Sequence, residues 1–450
     1  MVRSLAAGSI LMPGIFQLLM GQEARADEIN PLAPKKPQFA AKAKNVIFLY
    51  MSGGVSHLDT FDHKPELIAD AGKMKPGSNG KKGKPLLRPF WDFKPAPQTG
   101  HMVSDLFPYM RECMGEVCLI NSMYGDHQDH FQATLGVHTG SVTFARPSLG
   151  SWVSYGLGTL NQNLPCFVVL APQLPYCGTQ VWSSDFLPGC YQGTRIIAGP
   201  EPVPDLARRA PSLGIEQMEL GLLDRFNRRH QQYHADNPQL AARIKSFETA
   251  FGMQQQMPEV LDLSNETDAT LDLYGLPRGS TKGFGWQCLM ARRLIERGVR
   301  FVELIDTGSS GNWDSHSDMH QHAPLAKNVD QPIAGLLKDL KSRGMLEDTL
   351  VVWTTEFGRT PTTDGPLGRS HQNKVYSSWL AGAGVKPGIT YGKSSDYGDE
   401  VAENGVHVHD FHATILRLLG FDHEKLTFRH AGRDYRLTDV SGTVVKDILA

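Results

Sequence analysis

Short apolar runs punctuate the chain from Asn45 onward. The run Val46-Ile47-Phe48-Leu49-Tyr50-Met51 is uninterrupted and ends at Gly53-Gly54, the pattern of a strand covered on both faces. Similar runs recur at residues 117–120, 167–170, 299–305 and 350–354. The last two follow amphipathic stretches, 287–297 and 333–343, closed by Gly298 and Gly344. Helix, glycine stop and buried strand in repetition predict an α/β fold whose central sheet is largely parallel and covered by helices.

Residues 212–256 read as a helical insertion of two helices, the second opened by Asn237-Pro238. Residues 76–100, rich in Lys, Gly and Pro, read as a surface loop. Near the carboxyl end, Asp410 is the expected N-cap of a helix that stops at Gly420, with His412 packed inside it. One domain from residue 41 to 450 accommodates these elements, with no internal repeat.

The amino-terminal 40 residues differ. Arg3 precedes a mostly apolar run from Leu5 to Met20, and Ala24-Arg25-Ala26 supplies small residues at a cleavage spacing, so this stretch predicts an export signal. The Pro-rich segment 30–37 reads as a linker. The chain is therefore expected to be periplasmic or extracellular, with no integral membrane segment once the signal is removed.

Charge excludes one large class of partner. With 45 Lys+Arg against 47 Asp+Glu, the formal charge is −2, which leaves no basic surplus for nucleic acid. The six cysteines form no C-x-x-C pair. Buried thiols and disulfides both remain open. The 17 histidines direct the search toward metal sites.

Several clusters carry candidate chemistry. Asp314 and His316 follow a buried strand and a Gly-rich turn, where two residues of different donor type can converge on one metal. His320 and His322 are further candidates there, or the next helix begins at them. Glu356 is the first carboxylate after the strand at 350–354, and Arg359 offers a planar fork of donors to an anion. The two residues pairing with each other is the alternative. His371 enters the next apolar run from a Gly-bearing loop as a third ligand. Asp59 and His57 follow the first strand through Gly53-Gly54, and His130 opens the stretch that closes at Thr139-Gly140. G-x-S-x-G, Walker, G-x-G-x-x-G and H-E-x-x-H patterns are absent, which argues against serine-triad acyl hydrolases, P-loop enzymes and zincins.

Together these blocks resemble the bacterial family called domain of unknown function 1501, which is similar to the alkaline phosphatase and sulfatase superfamily. The resemblance rests on Gly53-Gly54 with Ser56-His57-Leu58-Asp59-Thr60-Phe61-Asp62, on the stretch 146–158, on Trp313-Asp314-Ser315-His316, on Glu356-Phe357-Gly358-Arg359-Thr360-Pro361 and on His407-Val408-His409-Asp410. It implies a three-layer α/β/α domain with one or two divalent ions (Zn, Ca, Mn or Mg) held by Asp314, His316, Glu356 and His371, with Asp59 as a further candidate. Phe357 stands where relatives place a His ligand. The C/S-x-P-x-R motif of sulfatases is missing; His130 falls about where its nucleophile would sit, with Thr134 and Ser122 as nearby hydroxyls. The implied activity is metal-dependent hydrolysis of a phosphate or sulfate ester, small-molecule or glycan. His130 would act as nucleophile or acid/base, and Arg359 would neutralise the anion. A binding protein that retains the fold without catalysis is the alternative, and a phosphomutase is a third reading by fold analogy alone.

Overall fold

The computed structural model describes residues 30–450 apart from 77–82, 200, 205, 207–210 and 235–236. The expected export signal lies outside the described residues.

Nine strands form the central sheet. In chain order they are β1 (Asn45–Tyr50), β2 (Val117–Tyr124), β3 (Phe167–Leu170), β4 (Thr194–Ile196), β5 (Phe301–Ile305), β6 (Thr349–Thr354), β9 (Tyr376–Ala381), β10 (Ile389–Tyr391) and β11 (Val406–His407); β7 (Gly358–Asp364) and β8 (Gly368–Gln372) form a separate hairpin. The order across the sheet is β10-β2-β9-β6-β1-β5-β3-β4, with β11 beside β2. Every residue of β1 is buried. Val46, Phe48 and Tyr50 enter one core, while Ile47 and Leu49 enter the other, as the two-residue period of a strand requires. Helices α1 (His130–Thr139), α2 (Leu149–Leu157) and α7 (Val408–Leu418) cover the first face. Helices α5 (Phe284–Glu296) and α6 (His322–Ser342) cover the second. The fold is thus α/β, in three layers, with a mostly parallel sheet.

Four local expectations change. Strand β9 runs antiparallel to both β6 and β2, because the chain returns from β6 through the β7–β8 hairpin and needs no crossover helix. Helix α6 begins at His322, eleven residues before the expected start at 333. Asp410 is not the N-cap of α7: His407 is, and Asp410 reaches back to accept its N–H at 3.0 Å, the reciprocal arrangement of a capping box. Finally, the expected linker is packed on the domain. Leu32 is buried in the first core, and the Lys35 N–H donates to Leu157 O at 2.8 Å.

The helical insertion consists of α3 (Leu213–Tyr233) and α4 (Pro238–Leu261), the second capped by Asn237 as expected. All six cysteines are free thiols. No helix among the described residues is long and apolar enough to cross a membrane.

Candidate metal centre

Parallel pairing sets Tyr50 opposite both Thr354 and Ile305, so β6, β1 and β5 end at one rim. In an open sheet, ligands collect at the carboxyl ends of strands, and the three loops leaving this rim supply the candidate chemistry.

The loop after β5 is anchored by Asp306, whose carboxylate accepts from Ser52 N, Thr307 N and Trp313 Nε1 at 3.0, 2.7 and 2.6 Å. Burial pushes this carboxyl up to about 6. The anchor fixes Trp313 and hence Asp314 beside it. Gly53 crosses under the same loop at φ +113°, where a Cβ would come within 2.6 Å of Trp313 N. Only glycine permits that approach.

Glu356 follows β6 and is fully buried. It accepts from Gly53 N at 2.8 Å and from Tyr50 Oη and Thr355 Oγ1 at 3.0 Å each. Its Oε1 also lies 2.8 Å from His130 Nδ1, at the first turn of α1. Burial opposes charge on Glu356, yet His130 and the other donors hold its carboxyl below the usual range. His130 is clamped between Tyr176, stacked on it at 4.3 Å and 9°, and Phe357 at 4.8 Å.

Asp314 is the hub. Its Oδ2 lies 3.2 Å from His130 Nε2, and its Oδ1 lies 3.2 Å from His371 Nε2, 3.1 Å from His316 Nε2 and 2.7 Å from Arg359 Nη2. Burial works to raise its carboxyl, but His130, His371 and Arg359 pull it well below the carboxylate range. Burial likewise disfavours charge on His130, yet Asp314 and Glu356 lift it to about 9. Ligand atoms of His130, Asp314 and His371 all lie within 4.8 Å of one another, and no other such trio closes among the described residues. His316 stands at its edge, with Nε2 2.9 Å from His371 Nε2.

The second nitrogen of each imidazole is committed. Nδ1 of His130 meets Glu356, Nδ1 of His371 meets Gln128 O at 2.7 Å, and Nδ1 of His316 meets Asp364 Oδ2 at 2.6 Å. Acceptors at Nδ1 place a proton there on each ring, so Nε2, which now faces the Asp314 carboxylate, is the nitrogen that would give up its proton to a metal. This is the donor chemistry of a metal site. His130 Nε2 is buried without a well-formed hydrogen bond. The Nε2 atoms of His316 and His371 face each other at hydrogen-bond distance, so one donates to the other unless a cation lies between them.

The sequence-based candidates divide accordingly. Asp314, His316, His371 and His130 meet, with Glu356 behind His130. Asp59 does not join them: it is buried against Ser56 Oγ at 2.5 Å and Arg369 Nε at 2.8 Å. Arg359 does not open toward an anion either. It is completely buried, donating to the Gly53, Gly54 and Arg369 carbonyls and to Asp314. Its guanidinium ties the loop after β1 to the hairpin. His322 is held by Ser315 and the Ser56 N–H, His320 pairs with Asp318, and His57 reaches Gly398 O. Thr134 bonds Tyr50 Oη at 2.8 Å, and Ser122 donates to Asn404 O at 2.7 Å. Asp364, Gln128 and Tyr176 were not singled out from the sequence. Asp364 lies 48 residues from His316, and only the turn Asp364-Gly365 marks its neighbourhood.

Comparison with known proteins adds the following. The chain is similar in structure to the lipoteichoic acid synthase LtaP from Listeria monocytogenes, at 8% identity and a TM-score of 0.38 over 91% of this chain and 79% of that one. It is similar to the alkaline phosphatase from the Antarctic bacterium TAB5, at 10% identity and 0.35 over 86% and 100%. It is also similar to the PsFucS1 sulfatase from Pseudoalteromonas sp., at 13% identity and 0.33 over 92% and 71%. No curated protein matches. The family model described as Protein of unknown function (DUF1501) matches residues 43–449. The chain belongs to the DUF1501 family.

Proposed function

We propose that the protein is an exported, divalent-metal-dependent hydrolase of phosphate or sulfate esters. One observation carries the reading: three imidazoles, each with Nδ1 already engaged, turn Nε2 onto one carboxylate. His130, Asp314 and His371 would hold the ion, with His316 beside them. Three protein ligands leave a position for water or substrate, and an imidazole-rich set suits zinc better than calcium or magnesium.

When bound, such an ion supplies Lewis-acid polarisation of an ester oxygen and a lowered pKa for water. The residues of the chain do the rest. Glu356, Asp364 and the Gln128 carbonyl orient the imidazoles. Arg359 positions Asp314 rather than the substrate. His316, the most exposed of the three histidines, takes or returns a proton at Nε2. In this reading His130 is a ligand through Nε2, and with Nδ1 held by Glu356 it has no nitrogen left to act as nucleophile.

Purified protein should carry close to one equivalent of a divalent metal by elemental analysis, and should release 4-nitrophenol from its sulfate or phosphate ester. Protein that neither contains metal nor takes up zinc or manganese defeats the proposal. Metal without turnover on a broad ester panel supports the second reading, a binding protein. The burial of both Arg359 and Arg369 favours that reading, since neither guanidinium is open to an anionic group.

A further inference from the structure

Helix α3 turns the wrong side outward. Ile215, Met218, Leu222, Phe226 and Tyr233 recur at helical spacing and so share one face, yet they are 39, 70, 56, 61 and 73% exposed. The half-buried positions of the same helix are Glu216, Leu220, Asp224, Asn227 and Gln231, a mostly polar set. Packing for stability alone would bury the apolar stripe, so an outward stripe of this length marks a contact surface.

Charge selects the partner. Arg225 and Arg229 follow the same spacing and flank the stripe, and both are exposed with no ion pair among the described residues. Of the acidic residues near them on the helix, Asp224 is paired with Arg228 at 3.0 Å and lies on the inward side, while the exposed Glu219 borders the stripe on the flank away from the two arginines. Helix α4 repeats the combination, with Arg243 over the ring of the 63% exposed Phe247 at 5.9 Å. A second copy meeting this face about a two-fold axis would set these arginines against their own images. A surface that offers both hydrocarbon and negative charge complements it. We infer that α3 is a membrane-surface helix, which lays its apolar stripe into the interface of an anionic lipid bilayer while Arg225 and Arg229 meet the head groups.

The test is co-sedimentation of the full chain with phosphatidylglycerol vesicles and with phosphatidylcholine vesicles. Binding should be strong to the first, weak to the second, and should fall as salt rises. The double substitution Leu222→Glu with Phe226→Glu should weaken it more than about tenfold, and so should Arg225→Glu with Arg229→Glu. All four positions are exposed, so thermal unfolding should be unchanged in both variants. Failure to bind phosphatidylglycerol, or binding that neither variant alters, overturns the inference. Self-association in sedimentation velocity that Leu222→Glu with Phe226→Glu abolishes, without vesicle binding, overturns it in favour of a second copy.

Discussion

Asp314 and Asp59 each reach an arginine of the same β7–β8 hairpin, Arg359 at 2.7 Å and Arg369 at 2.8 Å. The two pairs nevertheless differ in kind. The carboxylate of Asp59 and the guanidinium of Arg369 have no exposure at all, and their remaining partners are Ser56 and the carbonyls of Thr360 and Leu87. Asp314 is 27% exposed, and its other neighbours are the Nε2 atoms of three histidines. The histidines divide in the same way. His322, beside the closed pair, has a partner on each nitrogen: the Ser56 N–H donates to Nε2 at 3.2 Å, and Ser315 Oγ lies 3.0 Å from Nδ1. Those beside Asp314 have separate acceptors at Nδ1, while every Nε2 turns to the same carboxylate. Identical residue types thus build a scaffold in one place and a ligand set in the other. Access distinguishes them: the Asp59 carboxylate has no exposure, whereas Asp314 is 27% exposed and faces three imidazoles.

Removing either carboxylate should separate the two roles most sharply. Asp314→Ala is expected to abolish stoichiometric metal in elemental analysis and with it any esterase activity. Asp59→Ala should retain the metal. It should instead lose about 3–5 kcal/mol of unfolding free energy by denaturant titration, because the Arg369 charge is stranded in the interior. Metal loss in Asp59→Ala at native stability would erase the distinction. So would full metal occupancy in Asp314→Ala.

A smaller effect should follow from Glu356→Gln. The amide occupies nearly the same volume and retains an acceptor oxygen, but it removes the charge behind His130 Nδ1. Loss of such an orienting partner typically lowers metal affinity by about 10- to 100-fold. Competition with a chelating dye measures it. An unchanged affinity would show that His130 needs no charged partner and would weaken its assignment as a ligand.

The sheet was readable because its strands are short, apolar and bracketed by glycine: β1, β3 and β6 appear within a residue or two of the runs that announce them. The antiparallel β9 was not, since an apolar run says nothing of direction. At the site, Asp314, His316 and His371 were legible from their place after strands or loops. The error over Asp59 and Arg359 has one physical source. A sequence shows that a carboxylate and an arginine stand near a rim, but not that Asp59 is buried in a pair with Arg369, 310 positions away. Asp364 and the Gln128 carbonyl were invisible for the complementary reason, as partners whose role exists only after the hairpin and α1 have met. Tyr176, which sets the plane of His130 by stacking, carries no polar signature of that role.

The smallest effect concerns the closed side and depends on pH. Burial drives His322 down to about 3, and the Ser56 N–H directed at Nε2 requires a lone pair there. The folded state therefore keeps this ring neutral, while the unfolded chain protonates it near 6.5. Because the folded value is depressed, the stabilisation is complete above about 6.5 and is lost as the pH falls toward 3. Within that window one proton taken up on unfolding gives a slope of about 1.4 kcal/mol per pH unit. His322→Gln supplies an amide oxygen for the Ser56 N–H and removes the titrating group. Its unfolding free energy between pH 4 and 6 should rise less steeply than that of the native protein by about that amount. An unaltered slope would mean that His322 titrates normally in the folded state, like a histidine with a nitrogen free. The contrast between the closed and open sides would then rest on the carboxylates alone.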